Sequence, residues 1–424
     1  MMCIKNLKFS SALFGLALMC QTLLSQNNPR LVPEFDFIHL DSNAIRFYSE
    51  NENLNQFFDK LDTLIFEGKG QLSIMQIGGS HVQADIWTDR LRRNFQDLSP
   101  NLNGGRGFIF PFSLAKTNNP SYYQVSYTGA WEGYRSSVSR HKYTWGVSGI
   151  TATTQDSVAS FKLIFGENQT PKYDFNRIKV FHDLQDSEFC MELKSDPGAT
   201  IIENHRYGYT EFIMDRHLDT LEIGIYKTES VQDHFNLYGL SLENEDQGLI
   251  FNAIGVNGAS TKSYLRCELF EQHLAPLRPD LVIFSIGIND AFDSNFCPSC
   301  YQENYEDLIA QILRVNPECE FLFVTNSDSY IRRRYPNKRV YQAKDVMVDL
   351  AQKYSAGLWD LFEVMGGLGS IRTWESNGLA KRDRIHFTPE GYRLIGDLMF
   401  AALMEQYDIH LKSKYPDGNA ITSK

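Results

Sequence analysis

A serine, a histidine and an aspartate in this sequence have residue types that could carry out nucleophilic catalysis. Ser80 follows the pair Gly78-Gly79, and His386 lies three residues after Asp383. A serine hydroxyl is a weak nucleophile until a base takes its proton, so His386 is the candidate base and, later, the acid for the leaving alcohol. Asp383 is the candidate group that orients the imidazole and stabilises its charged form. Together the three residues predict acyl transfer through an acyl-enzyme on Ser80.

Three hydrogen-bond donors are candidates for stabilising the oxyanion of a tetrahedral intermediate. They are the backbone N–H groups of Ser80 and Gly258 and the side-chain amide of Asn289. Loss of one such donor typically lowers the rate by about 10²–10³-fold. Each residue also has an ordinary structural interpretation: Ser80 as a helix N-cap, Asn289 as a turn residue and His386 as a loop histidine. The catalytic interpretation therefore depends on their joint occurrence.

The elements around these residues predict an α/β sheet. Short apolar runs typical of buried strands occupy residues 72–77, 249–254, 281–286, 321–324 and 357–361. Helical signals lie between or after them, and Thr388 and Pro389 are the expected N-cap and first residue of the last helix. Such alternation predicts a parallel sheet with helices on both faces. Ligands bind these sheets at the carboxyl ends of the strands, where the candidate residues would meet.

Residues 121–242 have a different pattern. Polar residues alternate there with aromatic or β-branched ones, and turn residues follow at short intervals. This pattern predicts an all-β domain, a sandwich or jelly roll, that is inserted into the α/β unit. The expected organisation is a leader at 1–25, a first hydrolase part at 26–115, the insert at 116–245 and a second hydrolase part at 246–424.

Four short blocks resemble those of SGNH/GDSL hydrolases. In chain order they are Gly78-Gly79-Ser80-His81, Val256-Asn257-Gly258-Ala259-Ser260, Gly287-Ile288-Asn289-Asp290 and Asp383-Arg384-Ile385-His386. The resemblance covers residues 70–115 and 246–410. It implies a flavodoxin-like three-layer sheet, the triad and oxyanion donors named above, no cofactor and no metal. Gly79 departs from the family, which usually has aspartate there, but that aspartate is not the triad acid.

The β-insert makes the layout similar to bacterial peptidoglycan O-acetylesterases, in which the insert resembles a carbohydrate-binding module. By this analogy the substrate would be an O-acetylated glycan. Six aromatic residues are candidates for a sugar-stacking face, each with core packing as the alternative: Tyr122, Tyr123, Trp131, Tyr134, Tyr143 and Trp145. His81, next to the nucleophile, either shapes the site or faces solvent. His81, Tyr122 and Trp131 are the candidate substrate-binding residues.

The formal net charge of −11 excludes ordinary nucleic-acid binding, because a polyanion would be repelled. The basic run Arg332-Arg333-Arg334, followed by Lys338 and Arg339, is interpreted as solvated surface, since no aromatic residues interleave it as in single-strand binders. The glycine-rich segment at 104–108 lacks the lysine of a phosphate loop and is interpreted as a turn near the rim of the site.

The first 25 residues have the layout of a secretory signal peptide. Lys5 and Lys8 precede an apolar stretch that is short for a bilayer span, and no other segment is apolar enough to cross a membrane. This predicts export to the periplasm or the medium. Lipidation at Cys20 is disfavoured because the bulky Met19 precedes it.

A single CxxC motif, Cys297-Pro298-Ser299-Cys300, is expected to form a local disulfide in an oxidising compartment. A zinc site would need a second ligand pair at suitable spacing, and the sequence offers none.

Several functions fit these residues. The favoured one is an esterase that removes O-acetyl groups from an envelope or extracellular glycan. A lipid or short-acyl esterase, or an O-acetyltransferase that keeps water from the acyl-enzyme, would use the same triad. A non-catalytic glycan-binding protein on a hydrolase scaffold is the alternative from another class. The oligomeric state is left open.

Overall fold

The structure is a computed structural model, and it describes residues 32–33, 35–48, 54–100, 102–166, 173–184, 189–229 and 233–416. The expected leader at residues 1–25, with Cys20, lies outside these ranges. Within them, no helix has both the length and the apolar character that crossing a membrane requires.

Strands fill the middle of the chain and helices its C-terminal part. The strands of the described residues are β1 Ile45–Arg46, β2 Gln71–Gly78, β3 Gly105–Ile109, β4 Tyr123–Thr128, β5 Trp131–Arg135, β6 Ile150–Thr154, β7 Val158–Phe165, β8 Phe175–His182, β9 Cys190–Leu193, β10 Thr200–Asn204, β11 Tyr209–Leu218, β12 Thr220–Tyr226, β13 Phe235–Glu243, β14 Gly248–Gly255, β15 Leu281–Ser285, β16 Glu320–Val324, β17 Tyr330–Ile331, β18 Tyr335–Pro336 and β19 Gly357–Trp359. The α-helices are α1 Asn55–Asp62, α2 Ser80–Gln83, α3 Trp87–Gln96, α4 Thr261–Tyr264, α5 Phe270–Leu274, α6 Ile288–Phe292, α7 Pro298–Val315, α8 Arg339–Lys353, α9 Leu361–Val364, α10 Ser370–Ser376 and α11 Pro389–Lys414.

The central sheet has the strand order β1-β19-β16-β15-β2-β14, and every pairing in it is parallel except that of β1 with β19. The five parallel strands, counted along the chain, have the order 2-1-3-4-5, which is that of flavodoxin-like folds. The predicted α/β class and flavodoxin-like sheet are therefore confirmed. The order reverses between β2 and β15, and ligand sites of such sheets lie at this switch point.

Helices cover both faces of the sheet, which is why its strands are continuous apolar runs. Alternate residues of β2 belong to two different buried clusters: Leu72 and Ile74 pack with α1, α3 and α11, whereas Met75 and Ile77 pack toward α7 and α8. This alternation is the period-2 geometry of a strand that is buried on both sides.

The insert consists of two antiparallel sheets, as predicted from its alternating sequence. One has the order β10-β11-β8-β13-β6-β5 with β3 beside β13, and the other is β4-β7-β12-β9. The predicted additional all-β region is thus confirmed. Since β3 pairs with β13, residues 105–109 lie in the sheet of the insert, ahead of the expected boundary at residue 116.

The interpretation of residues 104–108 as a turn is wrong, because Gly105–Ile109 is a fully buried strand. Its glycines are required by close packing. Gly105 and Gly107 have φ of +108° and +74°, and a Cβ on Gly105 would lie 2.8 Å from the backbone of Glu243.

One hydrophobic cluster joins the insert to the central sheet. It includes Ile77 of β2, Phe108 of β3 and Leu240 of β13, together with residues of α7 and α8. The insert therefore shares a core with the α/β unit.

Candidate active site

The turn between β2 and α2 places the Ser80 side chain at the carboxyl end of the sheet. Gly79 is the N-cap residue and Ser80 the first residue of the helix, so the N-cap interpretation of Ser80 is wrong. The two glycines are needed because the turn is crowded. A Cβ on Gly78 would lie 2.8 Å from the Ser285 carbonyl oxygen, and one on Gly79 would lie 3.2 Å from Nδ2 of Asn289.

Ser80, His386 and Asp383 form a hydrogen-bonded chain. The Ser80 Oγ lies 2.8 Å from His386 Nε2, and His386 Nδ1 lies 2.9 Å from Asp383 Oδ2. If Nδ1 donates to the carboxylate, Nε2 is the atom that can accept the hydroxyl proton. The structure thus brings together residues that are about 300 positions apart in the sequence.

Asp383 is held as a carboxylate by its own loop. Its Oδ1 accepts the backbone N–H groups of Ile385 at 3.0 Å and His386 at 2.9 Å. Burial by itself would raise the pKa of Asp383, but these N–H groups and the His386 ring outweigh it and lower the pKa below its ordinary value. Asp383 therefore stays charged at neutral pH and can stabilise an imidazolium.

The three expected oxyanion donors line one cleft with His386. Among the described residues, no acceptor takes the backbone N–H of Ser80 or of Gly258. Gly258 has φ of +79°, a left-handed conformation that favours glycine. The Asn289 amide donates one hydrogen to the Ala259 carbonyl at 2.8 Å, and its second hydrogen is available for a ligand.

Neighbouring side chains fix the segments that carry these donors. Asp290 accepts from the backbone N–H of Thr261 and from its hydroxyl at 2.7 Å, which ties α6 to α4. Burial raises the pKa of Asp290. The Tyr264 hydroxyl donates to the Gly78 carbonyl at 2.8 Å, directly before the nucleophile turn. The segments that carry Gly258 and Asn289 are therefore linked to the turn that carries Ser80.

The cleft has a volume of about 570 Å³, and both apolar and polar side chains line it. The insert contributes Asn118, Asn119 and Ser121, and the α/β unit contributes Asn257 and Lys381 among others. The size is within the range of small-molecule sites. Amide and hydroxyl groups of this kind suit a ligand rich in hydroxyls.

Of the expected substrate-binding residues, His81 lies behind the site. Its Nδ1 is 2.8 Å from the Tyr392 hydroxyl, and its ring centroid is 5.2 Å from that of His386. Burial and the nearby His386 lower the pKa of His81 to about 3, so the ring is neutral. His81 thus packs against the base, which fits the expectation that it shapes the site.

The expectation that Trp131 presents a sugar-stacking face is wrong, because its side chain is only 2% exposed. It packs edge-to-face on Phe161 and Phe235 between the two sheets of the insert. Tyr123 and Trp145 are buried as well. Tyr134 and Tyr143 are partly exposed and stack on each other at 4.2 Å.

Tyr122 belongs to a buried polar cluster that the sequence analysis missed. Its hydroxyl bonds to Asp85, which also accepts from Arg106 and, at 3.2 Å, from Arg92. Burial would raise the pKa of Asp85, but Arg106 and Arg92 lower it. The cluster links the insert to the loop after α2. Arg106, the one charged residue among residues 104–115, was the available signal.

One group of side chains within the described residues has the spacing of metal ligands: Asp59, Asp62 and His410. It lies away from the cleft, and the Lys414 ammonium lies 2.9 Å from Asp62 Oδ2. A cation of the chain itself therefore neutralises these carboxylates.

Comparisons with known proteins agree with this geometry. Residues 234–394 match the GDSL-like lipase/acylhydrolase family, a range that includes Gly258, Asn289, Asp383 and His386. This stretch therefore resembles a GDSL-like hydrolase domain, and Ser80 lies outside it. A search of curated proteins gives no match to the sequence.

Among solved structures, a peptidoglycan O-acetylesterase shares its fold with this protein over 86% of this chain and 99% of its own, with a TM-score of 0.71 and 22% identity. An acetyl xylan esterase covers 37% of this chain and 81% of its own, with a TM-score of 0.30 and 20% identity. A lipase/acylhydrolase from Enterococcus faecalis covers 38% and 78%, with a TM-score of 0.30 and 22% identity.

Proposed function

We propose that the protein is a serine esterase that removes O-acetyl groups from a glycan outside the cytoplasm. The observation that carries the proposal is the chain of hydrogen bonds from Ser80 through His386 to Asp383 in a cleft that also holds Gly258 and Asn289. The leader expected at residues 1–25 supports an exported enzyme.

The first half-reaction transfers the acyl group to the protein. The Ser80 Oγ attacks the ester carbonyl as its proton passes to His386 Nε2, and Asp383 stabilises the resulting imidazolium. The N–H groups of Ser80 and Gly258 and the Asn289 amide would receive the oxyanion. Collapse of the tetrahedral intermediate breaks the bond to the sugar oxygen, which takes the proton from His386.

The second half-reaction restores the enzyme. His386 takes a proton from water as the water attacks the acyl carbonyl. The bond between the acyl carbon and Ser80 Oγ then breaks, His386 returns the proton to Oγ, and acetate leaves. The side chains of His386 and Asp383 are 33% and 31% exposed, so water reaches the acyl-enzyme. This exposure favours hydrolysis over an O-acetyltransferase, which would need to exclude water.

Two observations favour a glycan over a lipid ester. Beside its apolar residues, the cleft presents the amides and hydroxyl of Asn118, Asn119, Ser121 and Asn257, which can hydrogen-bond to sugar hydroxyls and would be left unpaired by an acyl chain. The solved structure that shares the fold over both parts of the chain is named for the removal of O-acetyl groups from peptidoglycan.

Acetate release by residues 26–424 tests the proposal, with 4-nitrophenyl acetate and O-acetylated glycans as substrates. The Ser80→Ala variant should lose at least about 10³-fold of kcat. Ser157→Ala, at an exposed serine of the insert, is the matched control and should keep wild-type activity. If Ser80→Ala hydrolyses these esters as fast as the control, the serine mechanism is wrong. If the wild type binds glycans but cleaves none of the esters, a non-catalytic glycan-binding role replaces it.

A further inference from the structure

A group of exposed basic side chains borders the proposed catalytic cleft, and we call it the basic ridge. Its members are Arg332, Arg333, Arg334, Lys338, Lys381 and Arg382. None of them forms an ion pair with a carboxylate of the described residues. In a chain whose net charge is −11, six unpaired cations on one rim form a local field of opposite sign.

The hairpin of β17 and β18 holds the arginines next to the loop of the proposed triad. The Tyr330 N–H donates to the Arg384 carbonyl at 3.0 Å, and Arg384 Nη1 donates to the Arg333 carbonyl at 2.8 Å. Arg384 lies between Asp383 and His386 in the sequence, and its own charge is paired with Glu375 at 2.7 Å. The hairpin that carries the ridge arginines is thus hydrogen-bonded to the loop that carries Asp383 and His386.

The segment after the hairpin reaches the other side of the cleft. The Asn337 amide donates to the Ala291 carbonyl at 3.1 Å, two residues beyond Asn289 in α6. Lys381 lines the cleft itself. The basic ridge therefore lies on segments that contact both the loop of His386 and helix α6, which carries Asn289, and we expect the sugar units next to the reacting ester to lie near them.

Backbone conformation marks the tip of this hairpin. Arg332 and Arg333 have φ of +51° and +61°, which is costly for residues with a Cβ. Glycine would relieve that cost, so arginine at two such adjacent positions is unexpected for a turn that only connects strands. Strained positions of this kind concentrate at ligand sites, where the function of the side chain outweighs the cost of the backbone conformation.

We infer that the basic ridge binds anionic groups of the substrate, so that the enzyme acts on O-acetylated glycans whose sugars carry carboxylate or sulfate. This inference rests on the proposed esterase function. Arginine side chains pair with such groups through two parallel N–H bonds. The Tyr335 ring at the hairpin, 63% exposed, adds a face on which a sugar can stack.

The test measures the specificity ratio, which is kcat/KM on an anionic acetylated glycan divided by kcat/KM on a neutral one. O-acetylated polygalacturonate is the carboxylate probe, acetylated dextran sulfate the sulfate probe, and acetylated xylan the neutral reference. The wild type should prefer one anionic probe by about tenfold or more, and 0.5 M salt should remove most of that preference, because screening weakens exposed charges. The probe that is preferred tells carboxylate from sulfate.

The variant Arg332→Gln/Arg333→Gln/Arg334→Gln should lower the specificity ratio about tenfold. A matched control removes three exposed cations elsewhere, Lys194→Gln/Arg206→Gln/Lys412→Gln, and should keep the wild-type ratio. Equal ratios in the two triple variants would overturn the inference, as would a wild type that shows no preference and no salt dependence. Binding to anionic phosphatidylglycerol vesicles that needs the three arginines, without any glycan preference, would overturn it in favour of a membrane contact.

A separate binding experiment distinguishes failure of the esterase proposal from failure of the anion-binding inference. Retardation of the protein in gels that contain each polysaccharide reports anionic binding without catalysis, and Ser80→Ala should be retarded as the wild type is. If retardation by the anionic glycans depends on the three arginines while no ester is cleaved, the proposed function fails and the anion recognition stands.

Discussion

At the scale of single residues, the proposed chemistry depends on a charge that the protein keeps in place. The Asp383 carboxylate is fixed by two backbone N–H groups and by His386 Nδ1, and these bonds lower its pKa despite burial. The neutral His81 ring behind His386 adds no competing positive charge. The imidazolium that forms during acyl transfer is therefore stabilised by Asp383 and is not repelled by His81.

Asn289 offers a direct test of the oxyanion site. Asn289→Ala should lower kcat by about 10²–10³-fold with little change in KM, because the amide acts on charge that develops in the transition state. Asn377→Ala, at an exposed asparagine after α10, should retain wild-type kcat. Both kinetic constants on 4-nitrophenyl acetate and a thermal melt provide the measurement. A loss in kcat smaller than threefold in a folded variant would remove Asn289 from the oxyanion site.

The sequence predicted the residues of the site better than their surroundings. Ser80, Gly258 and Asn289 each follow the end of an apolar strand, so the carboxyl edge of a parallel sheet brings them together once the fold class is known. The side of the insert on which Trp131 lies was not predictable, because alternation shows that two faces differ and not which face meets the second sheet. The contact between Arg333 and Arg384 could not be predicted for another reason, because a loop contact between distant segments leaves no periodic pattern in the sequence.

At the scale of elements, strand ends and helix ends are joined by polar contacts that respond to pH. Glu320, the first residue of β16, accepts the backbone N–H groups of Phe57 at 2.7 Å and Gln56 at 3.3 Å, at the start of α1. A carboxylate at a helix N-terminus is normally favourable. Here burial dominates and raises the pKa of Glu320 from 4.5 to about 7.

The raised pKa of Glu320 determines the direction in which the free energy of unfolding changes with pH. Between pH 4.5 and about 7 the folded chain holds a proton on Glu320 that the unfolded chain has lost, so the free energy of unfolding decreases as pH rises through this window. Glu320→Gln should lessen that decrease by about 1–3 kcal/mol between pH 5 and pH 8. Urea unfolding at both pH values measures it. Glu405→Gln, at an exposed carboxyl on α11, should leave the decrease unchanged; equal pH dependence in the two variants would show that Glu320 titrates normally in the folded protein.

At the scale of the whole molecule, the insert and the α/β unit share one hydrophobic cluster, in which Ile77, Phe108 and Leu240 take part. The buried cluster of Asp85, Arg106 and Tyr122 crosses the same boundary with charges that must stay paired. Neither part can be withdrawn without exposing apolar surface and an unpaired ion. The cleft is built from both parts, so its geometry depends on this junction.

The junction predicts that the two parts unfold together. During urea unfolding, loss of hydrolysis, which reports the Ser80 site, should have the same midpoint as loss of amide protection in β8 and β12 of the insert. Tyr122→Phe removes the hydrogen bonds of this hydroxyl with buried Asp85 and Arg106, so it should lower the unfolding free energy by about 1–3 kcal/mol and lower both midpoints equally. Tyr127→Phe, on a 43% exposed ring of β4, should change neither midpoint. If the amides of the insert exchange at urea concentrations where hydrolysis persists, the shared core does not couple the two parts, and the insert is a separate folding unit attached to the hydrolase.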